Sequence, residues 1–144
     1  MVVSTKGRYA LRVMIDLTQH QSGEYIPLKE IADRQGISEK YLEAILKILV
    51  TSGMVVGLRG KGGGYRLNVD PTDCTAWDVI SITEGDGMVP VACLEEGAVT
   101  CPRASSCETL PMWKEFNTTI KNFFNGYTIA DLAETSKDQY TYMI

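Results

Sequence analysis

Histidine is nearly missing from this 144-residue chain, which has one, His20. Nucleophile–histidine–carboxylate catalysis needs an imidazole beside a nucleophile and a carboxylate. His20 falls near the end of a plain amphipathic helix pattern without such company, so the chain is expected not to be an enzyme. Long apolar runs are missing too, and none approaches the roughly 18 residues that cross a bilayer. The opening Met-Val-Val-Ser-Thr-Lys-Gly-Arg has no apolar centre of the kind a signal peptide carries. These absences predict a cytoplasmic protein with no membrane partner. The C-x2–4-C knuckles of structural zinc sites do not occur. Excess positive charge is lacking as well: the net charge is −4.

That balance hides a division. Residues 1–70 hold ten Lys/Arg and seven Asp/Glu, a net of +3, whereas residues 71–144 hold four and eleven, a net of −7. A basic half joined to an acidic half suits a DNA-facing unit coupled to something else.

In the basic half, Ser4 or Thr5 can cap a first helix with Ala10, Val13, Met14 and Leu17 on its apolar face. Pro27 marks the start of a second helix, with Leu28, Ile31 and Ala32 apolar, and Gln35-Gly36 ends it. Ser38 caps a third, whose apolar face is Leu42, Ile45, Leu46 and Leu49. The connection is about three residues, Gly36 can take a positive φ there, and Ala32 lets the helices cross closely. This is the spacing of a helix-turn-helix. Met54–Arg59 then reads as a strand, Gly60–Gly64 as a turn almost without side chains, and Tyr65–Leu67 as the returning strand. Two strands after the second helix of a helix-turn-helix make a wing, with Arg59, Lys61 and Arg66 supplying charge for a phosphate backbone. The stretch is not a phosphate-binding loop of an NTPase, because Lys61 is followed by Gly62 rather than Ser or Thr. It is not a dinucleotide fingerprint either, because Tyr65 stands where the third glycine belongs.

Asp70-Pro71 begins a connector. Thr75 and Asp78 form a capping pair for a short helix through Val79, Ile80 and Ile82, with Trp77 expected in the core. Cys93, Cys101 and Cys107 then fall in one short loop, spaced C-x7-C-x5-C, while Cys74 lies apart as small core filler. Clustered thiols in a reducing compartment point to metal binding or redox sensing. Three widely spaced thiolates fit an iron–sulfur cluster better than zinc, and thiol–disulfide sensing is the remaining reading. Beyond the loop, Pro111 opens a long helix. Trp113, Phe116, Ile120, Phe123 and Tyr127 recur at spacings of 3, 4, 3 and 4, a heptad seam expected to form a homodimer interface. Asn125-Gly126 ends it, Thr128–Ala133 reads as one more short capped helix, and the tail Tyr140–Ile144 is apolar enough to dock.

Four stretches carry a family resemblance: Ser4-Thr-Lys-Gly-Arg-Tyr-Ala-Leu11, Ile37-Ser-Glu-Lys-Tyr-Leu-Glu43, Arg59-Gly-Lys-Gly-Gly-Gly-Tyr65 and Thr128-Ile-Ala-Asp-Leu132. The chain resembles the IscR/NsrR/CymR family of bacterial winged-helix regulators over nearly its whole length. The resemblance implies a homodimer on a pseudo-palindromic double-stranded DNA operator, with recognition helices in major grooves and wings at adjacent minor grooves. It also implies an iron–sulfur cluster on the thiols matching Cys93, Cys101 and Cys107, with [2Fe–2S] preferred to [4Fe–4S]. Other members lack the cysteines and regulate cysteine metabolism through a metabolic-enzyme partner. Two features depart from the pattern. The iron–sulfur assembly branch has C-x5-C-x5-C followed by a histidine three residues on, whereas here the first gap is seven and position 110 is Leu. The nitric-oxide-sensing branch supplies an N-terminal carboxylate where this chain has Arg8. The fourth ligand is therefore open among Glu108, Glu95, Glu96, a residue of the other subunit and an exogenous molecule.

The expected fold is mainly α with a small β wing: a winged helix-turn-helix at 1–70, a connector and short helix at 71–92, a cysteine sensor loop at 93–107, and a dimerisation helix with tail at 108–144. The expected DNA-binding residues are Ser38, Glu39, Lys40, Tyr41 and Glu43 on the recognition helix, and Arg59, Lys61, Gly62, Gly63 and Tyr65 on the wing. Ser38 and Tyr41 suit phosphate contacts, and Glu43 can accept from a cytosine amine. The expected function is a transcriptional regulator whose operator binding is set by the cluster. The alternative is a cluster-free regulator of sulfur metabolism acting through thiol state or a partner enzyme.

Overall fold

The computed structural model describes residues 2–142, except for the side chains of Asp86 and residues 136–142. Six α-helices and one two-stranded sheet follow in the order α1 (Thr5–Gln19), α2 (Leu28–Gln35), α3 (Glu39–Thr51), β1 (Val55–Leu58), β2 (Gly64–Leu67), α4 (Ala76–Glu84), α5 (Leu110–Asn125) and α6 (Ile129–Tyr142). Three short 3-10 turns lie between α4 and α5. The chain is therefore mainly helical with a small antiparallel wing, as its periodicities predict.

Local chemistry sets most boundaries. The Ser4 hydroxyl accepts from the Gly7 amide at the start of α1, and the Ser38 hydroxyl accepts from the Tyr41 amide at the start of α3. Pro27 occupies the cap position of α2 rather than its first turn, and Gly36 ends that helix at φ 64°. Thr75 and Asp78 form a reciprocal capping box at α4. Thr128 and Asp131 make the same exchange at α6, each amide donating to the other's side chain at 3.0 Å. With that start α6 runs 14 residues, longer than the short helix expected from Thr128–Ala133. Met143 and Ile144 lie outside the described residues, as do the side chains of Tyr140, Thr141 and Tyr142, so docking of the tail falls outside them too.

The wing pairs Val55 with Leu67 and Leu58 with Gly64. It is tied to the chain ahead of α2, because the amides of Ile26 and Tyr65 each donate to the other's carbonyl at 2.8 Å. A Cβ on Gly64 would run into the Ile26 carbonyl, so this approach requires glycine.

One core lies under α1. Met14, Leu17, Ile31, Leu42, Ile45, Leu46 and Leu49 are buried with Val55 of the wing, Val79 of α4 and Ile129 of α6. The beginning and end of the chain therefore share one apolar cluster, reinforced where the Ile129 amide donates to the Cys74 carbonyl and the Ala76 amide to the Tyr127 carbonyl. Trp77 is a correction to the expected core. It is half-buried and stacks on Phe124 of α5, ring centres 6.5 Å apart. The long aromatic helix packs on α4 through this stack and through the Thr75 hydroxyl, which donates to the Asn125 side chain, and no α5 residue is fully buried.

Candidate nucleic-acid interface and cysteine loop

The third helix presents Glu39, Lys40, Tyr41 and Glu43 on its exposed side, with Ser38 as its cap. Tyr41 does not swing freely. Its ring meets the Tyr9 ring edge-on at 5.8 Å, and the Arg12 guanidinium lies 4.9 Å over Tyr9. Arg12 also donates to the Gln35 side chain and carbonyl at the end of α2. Below them, Asp16 is fully buried and takes two hydrogen bonds from Arg34, at 3.0 and 2.8 Å, and one from Gln35 at 2.8 Å. The bond to Asp16 raises the Arg34 pKa further. So α1 grips the last turn of α2 and orients the turn from which α3 departs. The sequence pattern alone assigned no partner to Arg12 or Arg34, because Gln35 and Asp16 lie 23 and 18 residues away.

On the wing, Arg59 and Lys61 are exposed beside Gly62, at φ 77°, and Gly63. Tyr65 is half-buried, with its ring against Gly57. Arg66 is exposed but is held toward the segment before α2. Its guanidinium donates to the Gly23 carbonyl at 3.1 Å and stacks 4.6 Å from the Tyr25 ring, because β2 lies against the segment before α2.

Cys93, Cys101 and Cys107 are all free thiols, and all three line one cavity of about 220 Å3. Its other walls are apolar (Leu94, Ala98, Ala104, Leu110) apart from Thr100 and Lys114. The carboxylates of Glu95, Glu96 and Glu108 do not line it. Cys107 precedes α5, and a hydrogen bond from the Thr109 side chain holds its thiol below the usual range, helped by the Thr109 and Leu110 amides and Arg103. Cys74 is the opposite case. Burial pushes its thiol up to about 11, with Asp78 adding to the effect, as suits core filler. Among the described residues, no three His, Cys, Asp or Glu side chains approach closely enough to hold one metal ion. Free, soft thiols around one mostly apolar cavity are a donor set that an iron–sulfur cluster can take. Arg8, in place of a carboxylate, donates to Thr5 at 3.1 Å.

Along α5, Phe116, Phe123 and Met112 are 44%, 58% and 52% exposed, while Trp113 and Ile120 are half-buried. Tyr127 lies beyond the helix cap at Gly126, yet its ring continues the row 5.5 Å from Phe123. Val3 and Met88 extend this apolar surface around a cavity of about 330 Å3, two contributors the heptad spacing did not reveal.

Residues 3–135 match the model of the Rrf2 family, described as an iron-dependent transcriptional regulator. The chain belongs to the Rrf2 family. It is 33% identical over 137 residues to the HTH-type transcriptional regulator IscR of Vibrio atlanticus (strain LGP32), covering 95% of this chain and 78% of IscR. Among solved Rrf2-like structures it is similar to CymR, the global cysteine regulator of B. subtilis (TM-score 0.73, 33% identity, 94% of this chain and 98% of CymR). It is also similar to T. potens IscR (TM-score 0.74, 31% identity, 99% and 96%). The Rrf2 match takes in the helix-turn-helix, the wing, the cysteine loop and α5 together, so the chain is a transcriptional regulator of that family. No helix among the described residues is long and apolar enough to cross a membrane.

Proposed function

We propose that this Rrf2-family regulator acts as a homodimer on a pseudo-palindromic DNA operator and that an iron–sulfur cluster on Cys93, Cys101 and Cys107 sets its affinity. Residues 1–70 read DNA, 93–107 sense, and α5 with the following segment pairs the protomers. The observation that carries this reading is the gathering of three free thiols around one cavity directly ahead of α5. Such a cluster, held by Cys93, Cys101 and Cys107, would supply a redox- and ligand-sensitive group at the loop. The chain's own part is to hold three thiolates and to convert loop order into the placement of α5 and hence of the two α3 helices. Glu95, Glu96 and Glu108 do not line the cavity, which favours a fourth ligand from the partner subunit or from solution over these three. Ser38 and Tyr41 contact phosphates, Glu43 accepts from a cytosine amine, and Arg59 and Lys61 follow the backbone at the wing.

Anaerobic purification, a visible spectrum, iron and sulfide analysis, and DNA binding by loaded and cluster-free protein test this. A protein that stays colourless and iron-free after reconstitution would sink the cluster.

A second reading is favoured by the equally close likeness to CymR. In it the loop is a thiol switch and a metabolic enzyme docks on the regulator in place of a cluster. A defined enzyme retained by the protein only in one thiol state, with no iron bound, selects this reading.

A further inference from the structure

Residues 1–70 contain ten basic side chains, and the structure sorts them. Arg8, Arg12, Arg34 and Arg66 are exposed but each has a partner within the chain: Thr5, Gln35, Asp16 and the Gly23 carbonyl. Lys6, Lys29, Lys40, Lys47, Arg59 and Lys61 have no hydrogen bond or ion pair among the described residues. Two of these six, Lys47 on α3 and Arg59 on the wing, stand on different walls of one groove of about 610 Å3. The groove runs between the helix and the wing. Leu58 and Val50, 48% and 38% exposed, give it apolar surface. Gly60 and Gly63 leave part of its wing side without side chains.

We infer that this groove seats one sugar–phosphate strand of a DNA duplex and that Lys47 clamps the strand together with Arg59. The inference rests on the DNA-binding reading above. A helix in a major groove and a wing in the next minor groove lie on either side of one phosphodiester strand. That strand has to pass between α3 and the wing. It needs a cation on each flank for its phosphates, apolar surface for its deoxyriboses, and room for close approach, and the groove has all three. Glu43 also lines it. Lys40, Glu43 and Lys47 share the outer face of α3 at spacings of three and four, so the carboxylate is bracketed by cations on that face. Its acceptor chemistry suits a base amine, whereas Lys47, one turn further on, is left for the backbone.

Phosphate contacts carry no sequence information, so the contact has a distinct signature. The test measures binding of the full-length dimer to two random duplexes, one rich in G·C and one rich in A·T, from 50 to 200 mM salt. Wild type, Lys47→Gln, Lys47→Arg and Glu43→Gln are compared, with circular dichroism as the folding control. Each lost phosphate contact should flatten the plot of log K against log salt by about 0.9. Lys47→Gln is expected to flatten it by that amount per protomer, equally on both duplexes, while Lys47→Arg keeps the wild-type slope. A folded Lys47→Gln protein with an unchanged slope, or one altered on a single duplex, overturns the clamp and leaves the DNA-binding reading standing. Wild-type protein that binds neither duplex overturns both.

Discussion

Glu84 reaches back from the last turn of α4 to the Ser4 amide, which donates to its Oε1 at 3.1 Å, and the Ser4 hydroxyl donates to the same oxygen. The carboxylate passes over Gly7, where any Cβ would collide with it. The bond ties the first turn of α1 to the helix that leads into the cysteine loop. Gly7→Ala is therefore expected to push the Glu84 carboxylate off Ser4 and to destabilise the protein by about 1 kcal/mol, the worth of such a hydrogen bond. Most of that loss should disappear in a Glu84→Ala background, because the two sites are coupled. Urea unfolding of the four proteins of the cycle checks it, and strict additivity would contradict it.

The Asp16–Arg34 pair predicts an asymmetry. Asp16 is fully buried, whereas the Arg34 side chain is 31% exposed. Removing Arg34 strands a buried carboxylate, at about 3–5 kcal/mol. Removing Asp16 leaves an arginine that can turn to water. Arg34→Ala is thus expected to lower the urea midpoint more than Asp16→Asn, and adding Asp16→Asn to Arg34→Ala should recover part of the loss.

Cys74 and Cys107 should separate on alkylation of cluster-free protein. Iodoacetamide at pH 8 should modify Cys107, whose thiol lies below the usual range, and reach Cys74 only on unfolding, as peptide mass spectrometry would show. Cys74 also has a linkage consequence. Its folded pKa is about 11 against an ordinary 9.0, so the native state keeps the proton that the unfolded chain releases. The associated stability is present below pH 9.0 and is lost as pH rises through about 11. The difference in stability between wild type and Cys74→Ala should therefore shrink across that window.

The exposed row on α5 predicts the oligomeric state. Phe116→Asp with Phe123→Asp places two charges where an apolar seam would close. Sedimentation is expected to show monomer, with unchanged helix content because neither ring is buried in this chain. A dimer that persists would relocate the interface.

At the wing, Arg59→Ala is expected to weaken binding to every duplex alike and to lower the salt slope by about 0.9 per protomer. Binding of cluster-free and loaded protein should be compared at one salt concentration, because affinity and salt cannot be separated otherwise.

Much of this protein was legible from local chemistry. Ser4, Ser38 and Thr75 cap the helices they announce, since a cap needs only a side chain within three residues of an orphan amide. The wing was legible from its glycines, and the three loop thiols from their spacing. Tertiary structure alone decided where Arg12, Arg34, Arg66 and Trp77 spend their side chains, because their partners Gln35, Asp16, Gly23 and Phe124 lie 18 to 47 residues away. A basic residue looks the same in sequence whether it faces DNA or a buried carboxylate. Only packing separates Arg12, Arg34 and Arg66 from Lys47 and Arg59, and only packing gathers the three loop cysteines around one cavity whose lining includes none of the loop carboxylates.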